Sequence, residues 1–144
     1  MTIEEIQKDR GLRLPGAYLR LLAGIGGQGA SRVAEGRRWT FLAEGPLAET
    51  VEMAGVGAAP AHRQLALHLA CYREVAYGDT VAAPEGEIPI DRVAEGFVVA
   101  EDGGDLLYLD PGDGFSVWIF HHDGCDVEKA APSLADWLAR ASST

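Results

Sequence analysis

The apolar positions of the first 25 residues recur at helical spacing and predict two helices. The apolar stripe of the second helix comprises Leu14, Tyr18, Leu21, Leu22 and Ile25. The first helix begins with a capping box, because Thr2 can accept a hydrogen bond from the amide of Glu5 and the Glu5 side chain can reach back to Thr2. Gly11 is expected to end that helix, and Pro15 suits the first turn of the next.

The middle of the chain carries weaker patterns. Residues 37–43 (RRWTFLA) predict a strand with both aromatic residues on one face. Pro46 is expected to begin a helix with the sequence PLAETVEMA. Residues 61–76 fit both a strand and a helix, and a helix is favoured because Ala, Leu, Gln, Arg and Glu are strong helix formers. Residues 83–89 (APEGEIP) predict a loop.

The clearest β pattern comes next. Residues 97–101, 105–110 and 115–121 are short apolar runs separated by Asp-Gly and Gly-Asp turn signals, which predicts a three-stranded antiparallel meander. Alternate apolar residues of these runs point to opposite faces. Both faces therefore need cover, one of them from helices.

A final helix is predicted from SLADWLARA, residues 133–141, with Ser133 as its cap. The whole pattern predicts an α+β fold: a central antiparallel or mixed sheet with a C-terminal three-stranded meander, packed by N-terminal and C-terminal helices. The length of 144 residues favours a single domain, 1–144.

No apolar run approaches the ~18–20 residues that a membrane helix needs, so no membrane partner is expected. The charged N-terminus, MTIEEIQKDR, lacks the apolar stretch of a signal peptide. We therefore expect the protein to stay in the cytoplasm.

Charge is distributed unevenly along the chain. The formal net charge is −10, and residues 93–144 contain ten acidic residues against two basic ones. Nucleic acid is a poor partner for such a chain, because contacts with phosphates need basic groups. A basic protein surface is a better partner, since complementary fields speed encounter. The alternative is that the acidity only keeps the protein in solution.

Five carboxylates fall within fourteen positions of the meander: Glu101, Asp102, Asp105, Asp110 and Asp113. The middle strand between Asp105 and Asp110 spans about 20 Å at ~3.3 Å per residue. Asp102 and Asp105 are therefore expected at one end of the sheet, and Asp110 and Asp113 at the other. Ligands of one metal ion must lie within ~2.6 Å of it, so the five cannot converge on one ion. A role in tight turns explains these carboxylates better, because Asp tolerates the conformations that turns require and can accept hydrogen bonds from local backbone amides.

A histidine-rich segment offers a second interpretation. His121, His122 and Asp123 end the third strand on the same rim as Asp102 and Asp105, where they could bind zinc or perform acid–base catalysis. Adjacent histidines on a strand point to opposite faces, so only one of the two is expected to join such a site. Solvated turn residues are the simpler interpretation, and no metal or cofactor is predicted.

The order of four segments resembles the SUKH superfamily, which includes bacterial immunity proteins against polymorphic toxins and yeast regulators of cell-wall synthesis. The segments are LRLPGAYLRLLAGIGG, FVVAEDGGDLLYLDPGDG, VWIFHHDG and VEKAAPSLADWLAR. They cover most of the chain, whereas residues 44–92 match only in outline. The resemblance implies an α+β fold without catalytic residues or a cofactor. It also implies a protein-binding role, commonly the neutralisation of a cognate toxin, which in many such systems is a nuclease.

The charge pattern and the resemblance together predict an acidic surface that binds a basic toxin domain, with aromatic side chains supplying affinity. The candidate partner-binding residues are Glu101, Asp102, Asp105, Asp110, Asp113, His122, Asp123 and Trp39. An intracellular scaffold or regulator on the same fold is the alternative function. A metal-dependent enzyme that uses His121, His122 and Asp123 is a third.

Overall fold

The computed structural model describes residues 1–27, 29–75 and 78–143 of this α+β protein. Its main sheet contains β1 (Ala30–Ala34), β2 (Arg37–Phe41), β7 (Phe97–Asp102), β8 (Asp105–Asp110), β9 (Ser116–His121) and β10 (Asp126–Ala131). These strands are antiparallel and lie in the order β1-β2-β7-β8-β9-β10. Two separate hairpins pair β3 (Thr50–Met53) with β4 (Gly57–Pro60), and β5 (Thr80–Ala83) with β6 (Gly86–Pro89).

The helices of the described residues are α1 (Ile3–Arg10), α2 (Gly16–Ala23), α3 (Glu44–Ala48), α4 (Leu65–Arg73), α5 (Ile90–Ala94) and α6 (Leu134–Arg140). The predicted N-caps are confirmed: Thr2 Oγ1 accepts from the Glu5 amide at 3.2 Å, and Ser133 Oγ accepts from the Asp136 amide at 3.1 Å. Among the described residues, no helix combines the length and the apolar composition needed to cross a lipid bilayer.

Each face of the sheet packs against its own layer. On one face, Leu107 and Leu109 of β8 belong to a core that α1, α2 and α6 complete. On the other face, Leu106 and Tyr108 pack in a second core with α4, α5 and the β5–β6 hairpin. The predicted alternation of the meander is confirmed, and both of its faces are covered because both are apolar.

The β1–β2 hairpin pairs with β7 of the meander through only a short ladder. Its turn uses Glu35 and Gly36, which both have positive φ (50° and 77°), as a two-residue turn of this kind requires. In the described residues, the ladder between β2 and β7 consists of Thr40 opposite Glu101 and Phe41 opposite Ala100. The side chain of Arg37, at the start of β2, adds the ion pairs described below.

Several predicted elements are confirmed. The strand predicted over residues 37–43 is β2, and the meander forms the middle of the sheet as β7, β8 and β9. The helix favoured for residues 61–76 is present as a 3₁₀ turn, Ala61–Arg63, followed by α4. Ala76, the last residue of that prediction, lies outside the described residues.

Two predictions in the middle of the chain are wrong. The helix expected from Pro46 extends only over Glu44–Ala48, because Thr50–Met53 pairs with Gly57–Pro60 as a hairpin. The loop expected at 83–89 contains the turn of the second hairpin and all of β6. In both cases strand pairing with a neighbouring segment outweighs the local sequence signal.

Candidate functional site

The turn between β7 and β8 brings the first pair of carboxylates together. Asp102 and Asp105 stand directly opposite each other at the end of the ladder. The turn residues Gly103 and Gly104 both have positive φ, 58° and 102°. A Cβ atom on Gly104 would lie 2.9 Å from the Cε1 atom of His122, so glycine also makes room for that ring.

Arg37 links both of these carboxylates. Its Nε donates to Asp102 Oδ2 at 2.9 Å, and its Nη2 donates to Asp105 Oδ2 at 2.9 Å. The guanidinium carbon also lies 4.5 Å from the ring centroid of Trp39, two residues along β2. One cation therefore neutralises much of the charge that the sequence places at this end of the sheet.

Both histidines approach Asp105. The His122 amide donates to Asp105 Oδ1 at 3.0 Å, and the ring Nδ1 of His122 lies 2.5 Å from the same oxygen. His121 Nδ1 lies 3.5 Å from Asp105 Oδ2, while its Nε2 lies 3.0 Å from Glu128 Oε1. The expectation that only one histidine could join is wrong, because β9 ends at His121 and strand alternation does not extend to His122. We call Arg37, Asp102, Asp105, His121 and His122 the histidine rim.

The contacts of Asp105 shift two pKa values in opposite directions. Partial desolvation favours a higher pKa for Asp105, but the hydrogen bonds from His122 and Arg37 outweigh it and lower that pKa to about 2. The hydrogen bond to Asp105 raises the pKa of the exposed His122 ring above its ordinary value of 6.5. The histidine rim therefore favours a charged carboxylate beside a protonated imidazole.

The second pair of carboxylates lies at the other end of β8, as the strand length predicts. Asp110 is buried and accepts from Arg92 Nε at 2.8 Å and Nη2 at 2.6 Å, and from the Gly112 amide at 2.8 Å. Asp113 accepts from Ser116 Oγ at 2.7 Å and from Lys129 Nζ at 2.8 Å. These carboxylates stabilise the turn after β8.

The remaining candidates differ in exposure. Glu101 is exposed and forms no side-chain hydrogen bond or ion pair within the described part of the chain. Asp123 is 94% exposed, with one oxygen 3.2 Å from His122 Nε2. Trp39 is only 1% exposed, so it belongs to the core and offers almost no surface to a partner in this conformation.

Sequence reasoning missed the cations that neutralise these acids. Arg37 and Arg92 precede the acidic stretch of residues 93–144, and Lys129 is one of the two basic residues within it. Arg37 lies 65 positions before Asp102, so only knowledge of strand order could have paired them. Lys129 faces Asp113 because β10 returns beside β9, and β10 was not predicted as a strand.

The arrangement offers two separate ion-pair networks at opposite ends of the sheet. Within residues 1–27, 29–75 and 78–143, no three side chains of His, Cys, Asp or Glu are placed so that they could hold a metal ion. The chemistry that the histidine rim supplies is charge and hydrogen bonding at a protein surface, with His122, Asp123 and Glu101 reaching solvent.

Comparison with known proteins gives one result. The sequence model of the SMI1 / KNR4 family (SUKH-1) matches residues 2–140, which include every helix and strand described above. No curated protein and no solved structure matches the chain.

Proposed function

Because the chain belongs to the SMI1 / KNR4 family (SUKH-1), we propose that it is a non-catalytic binding protein that neutralises a cognate bacterial protein toxin. The observation that carries this proposal is the family match over residues 2–140. The immunity role is the commonest one that the resemblance implies, and it fits a strongly acidic chain with a net charge of −10.

Two exposed acids beside the histidine rim support a basic partner. Glu101 and Asp123 are available to basic groups of another protein, whereas Asp105 is held by Arg37 and His122. The field of these exposed carboxylates attracts positively charged surfaces. A toxin domain with a basic groove, such as a nuclease, is the partner that this charge suits best. We place the encounter in the cytoplasm.

The first experiment identifies the partner. The protein is purified under native conditions from its host, and proteins that co-elute are identified by mass spectrometry and assayed for toxicity with and without this chain. We expect a toxic protein whose activity is lost on complex formation. A stable partner that lacks toxicity would instead establish the scaffold or regulator function.

A second experiment tests the surface. Reversing charge at exposed acids, Glu101→Lys with Asp123→Lys, is expected to slow association with the toxin about tenfold at low salt and to flatten its salt dependence. The control is Glu49→Lys with Glu52→Lys, which changes net charge equally at exposed positions around β3. Equal effects of the two double variants would show that only net charge matters and would remove the histidine rim from the interface.

A further inference from the structure

A trough lies between the turn of the β5–β6 hairpin and the sheet. It is lined by residues 83–88 of the hairpin, by Trp118 of β9, by residues 129–131 of β10 and by Pro132 just after that strand, and its volume is ≈ 500 Å³. Its walls are largely apolar, since Ile88, Pro84 and Pro132 face it together with alanines. The trough runs beside β10, a terminal strand of the sheet.

The charges at the trough are predominantly negative. Glu85 and Glu87 line it and are exposed, and neither forms an ion pair or a side-chain hydrogen bond within the described part of the chain. Lys129 is the one basic residue in the lining, and its Nζ is held by Asp113 at 2.8 Å. The trough therefore combines apolar walls with two carboxylates that pair with no cation among the described residues.

We propose that this trough docks a segment of a protein partner that carries arginine or lysine beside an apolar side chain. The apolar residue lies against Ile88 and Trp118, and the cation lies over Glu85 and Glu87. This arrangement places an apolar anchor at the centre and charge selection at the rim, as protein interfaces commonly do. The proposal rests on the proposed function only in requiring that the partner be a protein.

The lining argues against a small polar ligand as the occupant. Sites for such ligands place several polar groups so that they converge on the ligand. Here the side chains of Ile88, Trp118 and the prolines form the walls, and the two glutamates are exposed, Glu85 in the turn and Glu87 in β6. Charge complementarity therefore favours a basic segment with apolar side chains.

The test uses a synthetic probe and needs no identified toxin. An end-blocked peptide in which arginine and lysine alternate with valine and leucine is titrated into the isotopically labelled full chain, and backbone amide signals are followed by NMR. We expect saturable shifts at residues 83–88 and 129–132. The matched peptide with glutamate at every basic position is expected not to bind. Equal shifts with both peptides, or shifts confined to other residues, would overturn the proposal.

A pair of charge variants tests the role of the glutamates. Glu85→Lys with Glu87→Lys is expected to weaken binding of the basic peptide about tenfold, because two favourable charge contacts become repulsive. Glu49→Lys with Glu52→Lys changes net charge equally on the other hairpin and is expected to bind like the unmodified protein. Equal weakening by both variants would refute a local role for the trough. The comparison of basic and acidic peptides on the unmodified protein stands even if a variant folds poorly.

The outcomes separate this proposal from the immunity function. If the basic peptide occupies the trough but no toxic protein co-purifies, the trough stands and the toxin assignment fails. If a toxin co-purifies and its neutralisation is unaffected by Glu85→Lys with Glu87→Lys, the immunity function stands and the trough is refuted as its docking site.

Discussion

At the scale of single residues, Asp105 organises the histidine rim. One oxygen accepts from the amide of His122 and faces its ring, while the other accepts from Arg37. A carboxylate with this many donors has little freedom to turn toward a second protein. Asp105 therefore positions its neighbours, and contact with a partner is proposed only for the exposed Glu101 and Asp123.

The coupling between Asp105 and His122 predicts a titration effect. Asp105→Asn removes the charge that raises the pKa of His122, so that pKa is expected to fall toward 6.5. The ring signals of His122, followed by NMR from pH 5 to pH 9, measure it. Glu101→Gln removes a nearby exposed carboxylate and is expected to leave the titration unchanged. An unshifted His122 titration in the Asp105→Asn variant would contradict the hydrogen bond.

The part of this site that depends on local signals could be predicted from the sequence, and the part that depends on contacts between distant segments could not. The grouping of Asp102 with Asp105, apart from Asp110, follows from strand length and turn signals, which are local. The role of Arg37 depends on the pairing of β2 with β7, a contact between distant segments that no local pattern encodes. Trp39 is buried because it packs in the core that α1, α2 and α6 complete, which its position in a strand alone could not reveal.

At the scale of elements, the sequence predicted continuous apolar runs well and short polar strands poorly. The runs of β7, β8 and β9 are buried on both faces, so their composition is unambiguous. The sequences of β1 (ASRVA) and β10 (DVEKAA) mix charged and small residues, because these strands lie at the two ends of the sheet. Their pairing comes from neighbours rather than from their own β propensity.

The junction between α5 and β7 depends on the absence of a side chain at Gly96. A Cβ atom there would lie 2.8 Å from Leu65 Cδ1 and would also overlap the ring of Tyr108. Gly96→Ala is therefore expected to lower the free energy of unfolding by about 1–3 kcal/mol, as overpacking does. Urea denaturation measures it.

Gly45→Ala is the matched control for that variant. Gly45 lies in α3, and a Cβ atom there would meet nothing within 4 Å. Alanine also has the higher helix propensity, so the control is expected to be neutral or slightly stabilising. A Gly96→Ala protein as stable as the control would show that α4 and β8 can separate at little cost.

At the scale of the whole molecule, two groups with lowered pKa values are expected to contribute to the loss of stability in acid. His62 is buried, stacks on Phe97 with ring centroids 5.3 Å apart, and has Nδ1 3.2 Å from Arg10 Nη1. Desolvation, followed by the charges of Arg10 and Arg63, lowers the pKa of His62 to about 4. Asp105, with its pKa lowered to about 2, is a second acid-sensitive group. Acid removes the negative charge of Asp105, whereas it adds a positive charge to His62.

The shifted pKa values predict acid destabilisation in two ranges. Between pH 6.5 and about 4 the unfolded state protonates His62 before the folded state does, so stability falls. The contribution of Asp105 is complete above about pH 4 and is lost as the pH falls toward 2. Unfolding free energies from urea denaturation at each pH measure both ranges.

Replacement of His62 separates the first range from the second. His62→Gln is expected to remove a pH-dependent loss on the order of 3 kcal/mol between pH 6.5 and 4. His122→Gln is expected to change the profile above pH 6.5 instead, because the raised pKa of His122 gives stability that is fully present below 6.5 and is lost as the pH rises through the folded-state value. A pH profile that His62→Gln leaves unchanged would contradict the assignment.

The short ladder between β2 and β7 has a mechanical consequence. The β1–β2 hairpin is joined to the remaining four strands by two residue pairs, by a bond from the Leu42 amide to the Val99 carbonyl, and by the ion pairs of Arg37. An attachment that depends on ion pairs weakens with ionic strength, whereas the ladder from β7 to β10 does not. We expect concentrated salt to weaken the ion pairs at this margin and not the ladder from β7 to β10, while the burial of Trp39 and Phe41 in the core continues to hold the hairpin.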